Sequence, residues 1–298
     1  MEISYELHEE LLQDCINIAT GLFYPINGFM SSTDYHSVVN NMTLNNGEIW
    51  TIPISLDLDH DTYMSVVELN TLSLTYKSKK IGFVEIDDCF IVNKEEDIVK
   101  IFGTSDIKHP GVSKELSRNK YRLGGKVIIT EESILENSLN PKDTKAYFKS
   151  KNWNTIAGFQ TRNPIHKAHE HLQRVALDIC DALFINPLVG WKKVGDFSEE
   201  AVVNGYKTMI DEYYTGLNVH FDTLKTPMRY AGPKEAIFHA IIRRNLGCTH
   251  FIIGRDHAGA GKIYKKFTKN TFIKSDSTTY SMNNFDIVSI MNFGLLEF

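Results

Sequence analysis

Residues 155–190 read TIAGFQTRNPIHKAHEHLQRVALDICDALFINPLVG, and their periodicity decides the fold. TIAGF (155–159) is a short apolar run with the texture of a buried strand. In KAHEHLQRVALDICDALF (167–184), Ala168, Leu172, Ala176, Ile179 and Leu183 recur at steps of three and four, which predicts an amphipathic helix. ALFINPLVG (182–190) then offers another strand. The alternation continues downstream. SEEAVVNGYKTMIDEYY (198–214) and KEAIFHAIIRRNLG (234–247), the latter closing on a capping glycine, read as helices, and LNVHFD (217–222) and THFIIG (249–254) read as strands. Alternating elements of this length predict a parallel sheet covered by helices.

Upstream the texture changes. Runs such as IWTIPISLDLD (49–59), IGFVEIDDCFIV (81–92) and GKVIIT (125–130), separated by polar turns like NNGE (45–48), predict a small, mostly β domain, and ILENSLNPKDTKAYFKSKNWN (134–154) reads as the junction. A chain of 298 residues with 42% hydrophobic content can build two cores. Its 32 basic against 37 acidic residues give a net charge of -5, which excludes the global basic field of a general nucleic-acid binder, so any anion has to be caught locally. Cys15, Cys89, Cys180 and Cys248 form no CxxC pair, which argues against a disulfide framework or structural zinc and predicts a reducing, cytoplasmic home. MEISYELHEELLQDC has no apolar leader core and no stretch of 18 apolar residues occurs, so neither secretion nor membrane insertion is expected.

In an open parallel sheet the ligand crevice lies beyond the carboxyl ends of the strands, at the loops leaving TIAGF and THFIIG. The first loop carries Gln160, Thr161, Arg162 and Asn163 and ends with His166 at a helix start, where free N–H groups and the helix dipole favour an anion. His166 and His169, three apart, share a face and can both donate to phosphate oxygens; Arg162 adds a planar fork for an oxyanion, while His171 turns away. The second loop, Gly254, Arg255, Asp256, His257, Ala258 and Gly259, uses glycine to let backbone approach a ligand. Its AGAGKI tail is not a P-loop, since Asp256 and Ile263 stand where that motif needs glycine and serine or threonine. Zinc on His166, His169 and His257 is the weaker use of these histidines, because only Asp256 adds a usual ligand type.

FQTRNPIHKAHE (159–170), NPLVGWKKVGD (186–196) and MRYAGPKEAIFHAIIRRNLGCTHFIIGRDHAGAG (228–261) together resemble the ATP sulfurylase (sulfate adenylyltransferase) family. GLFYPINGFMSSTDYHSVVNNMTLNNGEIWTIPISLDL (21–58) resembles that family's N-terminal PUA-like domain, so the likeness covers nearly the whole chain. The resemblance implies an α+β two-domain protein: a PUA-like β-rich domain over residues 1–148, then a Rossmann-like α/β nucleotidyltransferase domain over 149–298. It implies transfer of AMP from MgATP to sulfate by direct attack on the α-phosphorus, giving adenosine 5′-phosphosulfate (APS) and pyrophosphate, with Mg2+ accompanying ATP. By the same resemblance Gln160 and Arg162 hold sulfate with the backbone at Ala258; Thr161, Arg162 and Asn163 form the catalytic core; His166 and His169 contact the phosphates; and Gly254, Arg255, Asp256 and His257 take the nucleotide. A homo-oligomer fits the family, and neither nucleic acid nor membrane is an expected partner.

Three departures keep alternatives open. Asn186 stands where most family members have histidine before PLVG, KIYKKFTKNTFIKSD (262–276) replaces the usual glycine- and tyrosine-rich continuation, and the C-terminal lid is expected to be shortened or missing, with no kinase domain appended. A nucleotidyltransferase using another oxyanion or nucleotide, or a non-catalytic nucleotide- or RNA-binding homologue, are the alternative readings.

Overall fold

The computed structural model describes residues 3–190, 195–253 and 257–259. These divide into two compact units, the first holding the chain up to Ser138 with Arg229–Ile241 and the segment from Ala258, the second Leu139–Met228 and Ile242–His257.

The first unit runs β1 (Ser4–Glu6), α1 (Glu9–Ala19), β2 (Gly28–Phe29), α2 (Ser32–Asn41), β3 (Leu56–Leu58), α3 (His60–Val66), β4 (Thr71–Tyr76), β5 (Lys79–Ile91), α4 (Lys94–Phe102), α5 (Pro110–Ser117) and β6 (Tyr121–Ile129). Its sheet has the order β1-β4-β5-β6-β2, with β3 also on β6; the β1–β4 pair is parallel and the others antiparallel. The strand expectations for 81–92 and 125–130 fall inside β5 and β6. The stretch 49–59 is a strand only over Leu56–Leu58, since Pro53 has no N–H for a ladder. Five helices were not foreseen by the mostly β reading. Each is short, and most are marked by an N-cap, not by a long stripe: Ser31 accepts from Asp34 N–H, Asp59 from Thr62 N–H, His109 from Val112 N–H, while α4 has no side-chain cap bond and ends on left-handed Gly103. The unit is closed by residues from far along the chain. Phe238 meets Phe23 and Trp50 edge-on, with ring centroids 5.3 and 5.5 Å away, and Arg229 Nη2 donates to both carboxylate oxygens of Asp14 at 2.9 Å.

The second unit begins with α6 (Pro141–Ser150), which lies within the stretch read as a junction, its Asn140 cap followed by proline at the first position. There follow β7 (Ile156–Phe159), α7 (Lys167–Ile179), β8 (Ala182–Ile185), β9 (Leu188–Val189), α8 (Glu199–Tyr213), β10 (Val219–Phe221), β11 (Leu224–Lys225), α9 (Pro233–Asn245) and β12 (His250–Ile252). Helix α9 starts among residues of the first unit and ends in the second. The sheet order is β10-β8-β7-β12 and every pairing is parallel, as the alternation predicts. From β7 the chain steps through β8 to β10 on one side, then returns to lay β12 on the other. The winding therefore reverses between β7 and β12, the point outside the strands' carboxyl ends where open parallel sheets place a ligand crevice.

One sheet face packs under α7 and α8: Ala157, Phe159, Leu183, Ile185 and Ile252 bury against Ala176, Val202, Tyr206 and Met209. Helix α7 stops earlier than the 167–184 periodicity suggests. Its cap, Cys180, is extended, Ile179 is 57% exposed, and Leu183 belongs to β8, a continuous apolar run buried on both faces that happens to meet the helical spacing. On the opposite face, strand register aligns His220, Phe184, Gly158 and Phe251 across four strands, a row of rings interrupted by one glycine.

Candidate active site

The loop leaving β7 is folded by its own second residue. Thr161, buried beside the strand end, accepts the Asn163 N–H at 3.0 Å through Oγ1 and donates to the Asn163 carbonyl at 3.2 Å, while its own carbonyl accepts from Leu188 N–H at 2.8 Å. Its hydroxyl therefore shapes the turn. Gln160 is half-buried, and its Oε1 is a buried acceptor with no hydrogen bond. Arg162 Nε lies 3.8 Å from a carboxylate oxygen of Asp196.

His166 is the N-cap of α7, with extended backbone and no side-chain cap bond, so the first-turn N–H groups keep an open end facing the crevice. The rings of His166 and His169 stack, with centroids 3.7 Å apart and planes at 28°. The shared helix face expected from their spacing is thus present as direct ring contact. Behind them, His169 Nδ1 is 3.1 Å from Tyr206 Oη, and the Phe159 ring stands edge-on at 5.3 Å. Burial, helped by the His166 charge, lowers the His169 pKa to about 4, so at neutral pH this ring is an uncharged hydrogen-bonding group. In the tautomer with the ring proton on Nε2, Nδ1 accepts from the Tyr206 hydroxyl and Nε2 is left as a donor. His171 is exposed, as its helical position predicts.

Of the second loop, Gly254, Arg255 and Asp256 lie outside the described residues. His257 is buried edge-on to Phe251, centroids 5.7 Å apart, and its pKa falls to about 3 through burial first, then Arg243 and Arg162. Ala258, with φ 54°, is grouped with the first unit, where its carbonyl accepts from Gly232 N–H at 3.3 Å.

Two contributors escape a reading by spacing. Tyr206, the partner of His169, shows itself in sequence only as one apolar step of α8. Arg243 is fully buried on α9, in the row Glu235, His239, Arg243 spaced at four, which read alone looks like an exposed polar stripe but is buried throughout. Asn186, directly after β8, is also fully buried; its Nδ2 donates to the Asp222 carbonyl at 2.7 Å, and its own carbonyl accepts from Arg243 Nη2 at 2.9 Å. Among the described residues no three histidine, cysteine or carboxylate side chains converge as metal ligands would, and no helix is long and apolar enough to cross a membrane.

Comparison with known proteins places this geometry in context. The family model described as ATP-sulfurylase matches residues 136–293, and that of a PUA-like domain matches residues 2–132. The chain is 44% identical over 265 residues to a sulfate adenylyltransferase of Ignicoccus hospitalis, covering 88% of this chain and 69% of that protein. It is 45% identical over 257 residues to one of Hyperthermus butylicus, covering 85% and 66%, and 43% identical over 259 residues to one of Carboxydothermus hydrogenoformans, covering 85% and 68%. The chain thus spans about two thirds of the length of these relatives. A solved hexameric APS kinase from Thiobacillus denitrificans shares the fold at a TM-score of 0.67 and 20% identity, over 86% of this chain and 48% of that one.

Proposed function

This chain belongs to the ATP-sulfurylase family, and from that premise we propose that it is a sulfate adenylyltransferase, transferring AMP from MgATP to sulfate. A sulfate oxygen attacks the α-phosphorus in line, the bond from that phosphorus to the bridging oxygen breaks, and pyrophosphate leaves with the electron pair, giving APS. The observation that carries the reading is the stacked His166–His169 pair at the open N-terminus of α7, at the point where the sheet reverses its winding. Two anions have to be held together while negative charge gathers on the leaving oxygen, and preorganised donors at a helix N-terminus supply that without reorganisation.

The division of labour follows. Residues 1–148 are assigned to the PUA-like domain and 149–298 to the nucleotidyltransferase domain. Gln160 and Arg162 take sulfate, the amide through its Nε2 donors and the guanidinium through its planar fork of N–H groups. Thr161 holds the loop in shape and Asn163 presents its side chain beside the catalytic core. His166 and His169 contact the phosphates, His169 as a neutral donor. Gly254, Arg255, Asp256 and His257 line the nucleotide, and the Ala258 backbone joins Gln160 and Arg162 at sulfate. Magnesium enters as part of the substrate, bound to the triphosphate. Asn186 is assigned to bracing, since its amide is engaged by Asp222 inside the fold.

Incubation with MgATP and sulfate is expected to release pyrophosphate, with CTP a poor replacement for ATP. Release with phosphate, selenate or molybdate in preference to sulfate would move the assignment to another oxyanion. No release with any pair would remove the enzyme reading. His169→Ala is expected to lower turnover on the order of a hundredfold with the fold retained, as for one lost transition-state donor.

A further inference from the structure

Arg243 is the residue of the second unit that packing does not explain. Its side chain is fully buried, yet only Nη2 has a hydrogen bond, to the Asn186 carbonyl; Nε and Nη1 are buried with none. The guanidinium lies over the Phe251 ring at 5.8 Å. Burial pushes its pKa down to about 9, which still leaves it charged at neutral pH, and no carboxylate among the described residues offsets that shift. A buried charge lacking a counter-ion opposes folding, and a methionine or leucine of similar length would fit an all-buried helix face at lower cost.

The path of the side chain shows where the charge is delivered. A Cβ on Gly158 would stand 3.0 Å from Arg243 Cγ and 3.1 Å from Cys248 Sγ, so the arginine stem crosses β7 through the gap that Gly158 leaves in the aromatic row. From there the head runs to Asn186, the first residue beyond the carboxyl end of β8, whose N–H is in turn bonded to the Phe159 carbonyl at the end of β7 at 2.9 Å. The guanidinium therefore ends under the lip of the crevice, beside the loop that carries Gln160 and Arg162.

We propose that Arg243 is a positioning residue for the oxyanion: a buried cation, threaded to the strand ends past Gly158, that supplies the positive potential beneath the sulfate site and pins the Asn186 turn which borders it. The proposal rests on the sulfate adenylyltransferase reading for the identity of the anion. It accounts for three features together: the glycine in the row of rings, the cation without a carboxylate, and the sharing of its one hydrogen bond with a turn at the crevice edge. A tetrahedral dianion is the counter-ion that the described residues do not supply there.

The test uses the full chain and the variants Arg243→Met and Arg243→Lys. Melting is followed with sulfate, alone and with the non-cleavable α,β-methylene analogue of MgATP, against chloride at equal ionic strength. Arg243→Met keeps the unbranched stem in the gap and is expected to melt no lower than the parent without anion, to lose the sulfate-dependent rise in Tm, and to raise KM for sulfate about tenfold or more with a smaller change in kcat. Arg243→Lys should recover part of the sulfate response. A methionine variant that fails to fold, or that melts well below the parent, marks Arg243 as a structural residue and overturns the proposal. So does an undiminished sulfate response in that variant, or a parent chain that sulfate does not stabilise. A parent stabilised by sulfate yet inactive with MgATP would sink the enzyme reading and leave the role of Arg243 standing.

Discussion

At the scale of single residues, the site is built from groups whose protonation is set by burial. A histidine with an ordinary pKa of 6.5 is held to about 4 at His169. Between those values the unfolded chain binds a proton that the folded chain refuses, so the stability contributed by the neutral ring is full above pH 6.5 and is lost as pH falls toward 4. Melting temperatures measured across that window should therefore fall with acid less steeply in His169→Gln than in the parent; equal slopes would contradict the depressed pKa. Tyr206→Phe is expected to lower turnover several-fold, up to about tenfold, without loss of fold, because the phenol hydroxyl fixes the tautomer of His169. The histidine pair was legible in the sequence because three-residue spacing at a helix start is a local fact. Tyr206 was not, since it lies 37 positions away and reads locally as one more core residue. The same holds for Thr161, whose type suggests chemistry while its bonds to Asn163 make it a turn former.

At the scale of elements, strands β7, β8, β10 and β12 were readable from their runs and from the helices between them, and their parallel pairing followed from that alternation. Ends were less readable. The 3.6-residue stripe of α7 runs without a break into the continuous apolar run of β8, and no glycine or proline marks the stop. Glycines carry the sharpest element-scale predictions. Gly158→Ala places a methyl against Arg243 and Cys248, with no flexible end to yield, and should lower stability by about 1–3 kcal/mol in urea unfolding. Gly247, with φ 99°, turns the chain from α9 to β12, and a Cβ there would stand 2.9 Å from Lys145 Cγ. Gly247→Ala should cost about 1 kcal/mol or more by the same measurement, from the left-handed backbone alone.

At the scale of the whole molecule, the alternating second half announced its architecture while the first half hid most of its helices, whose evidence lies in single capping residues. Long-range closure is the part that no local pattern announces: Asp14 meets Arg229 across 215 positions, both side chains largely shielded from water. Removing the acid in Asp14→Ala leaves a shielded guanidinium without its carboxylate and should destabilise the first unit by about 3 kcal/mol, read from hydrogen exchange in β6 and α1. Phe238 belongs to the same closure, packed with Phe23 and Trp50. A genetic crossover near residue 138 would consequently part Phe23 and Trp50 from the ring that covers them. Recombinants exchanging one half alone would keep this closure only where the incoming half brings a ring that fits the same place, which ties the inheritance of the two halves together at these positions.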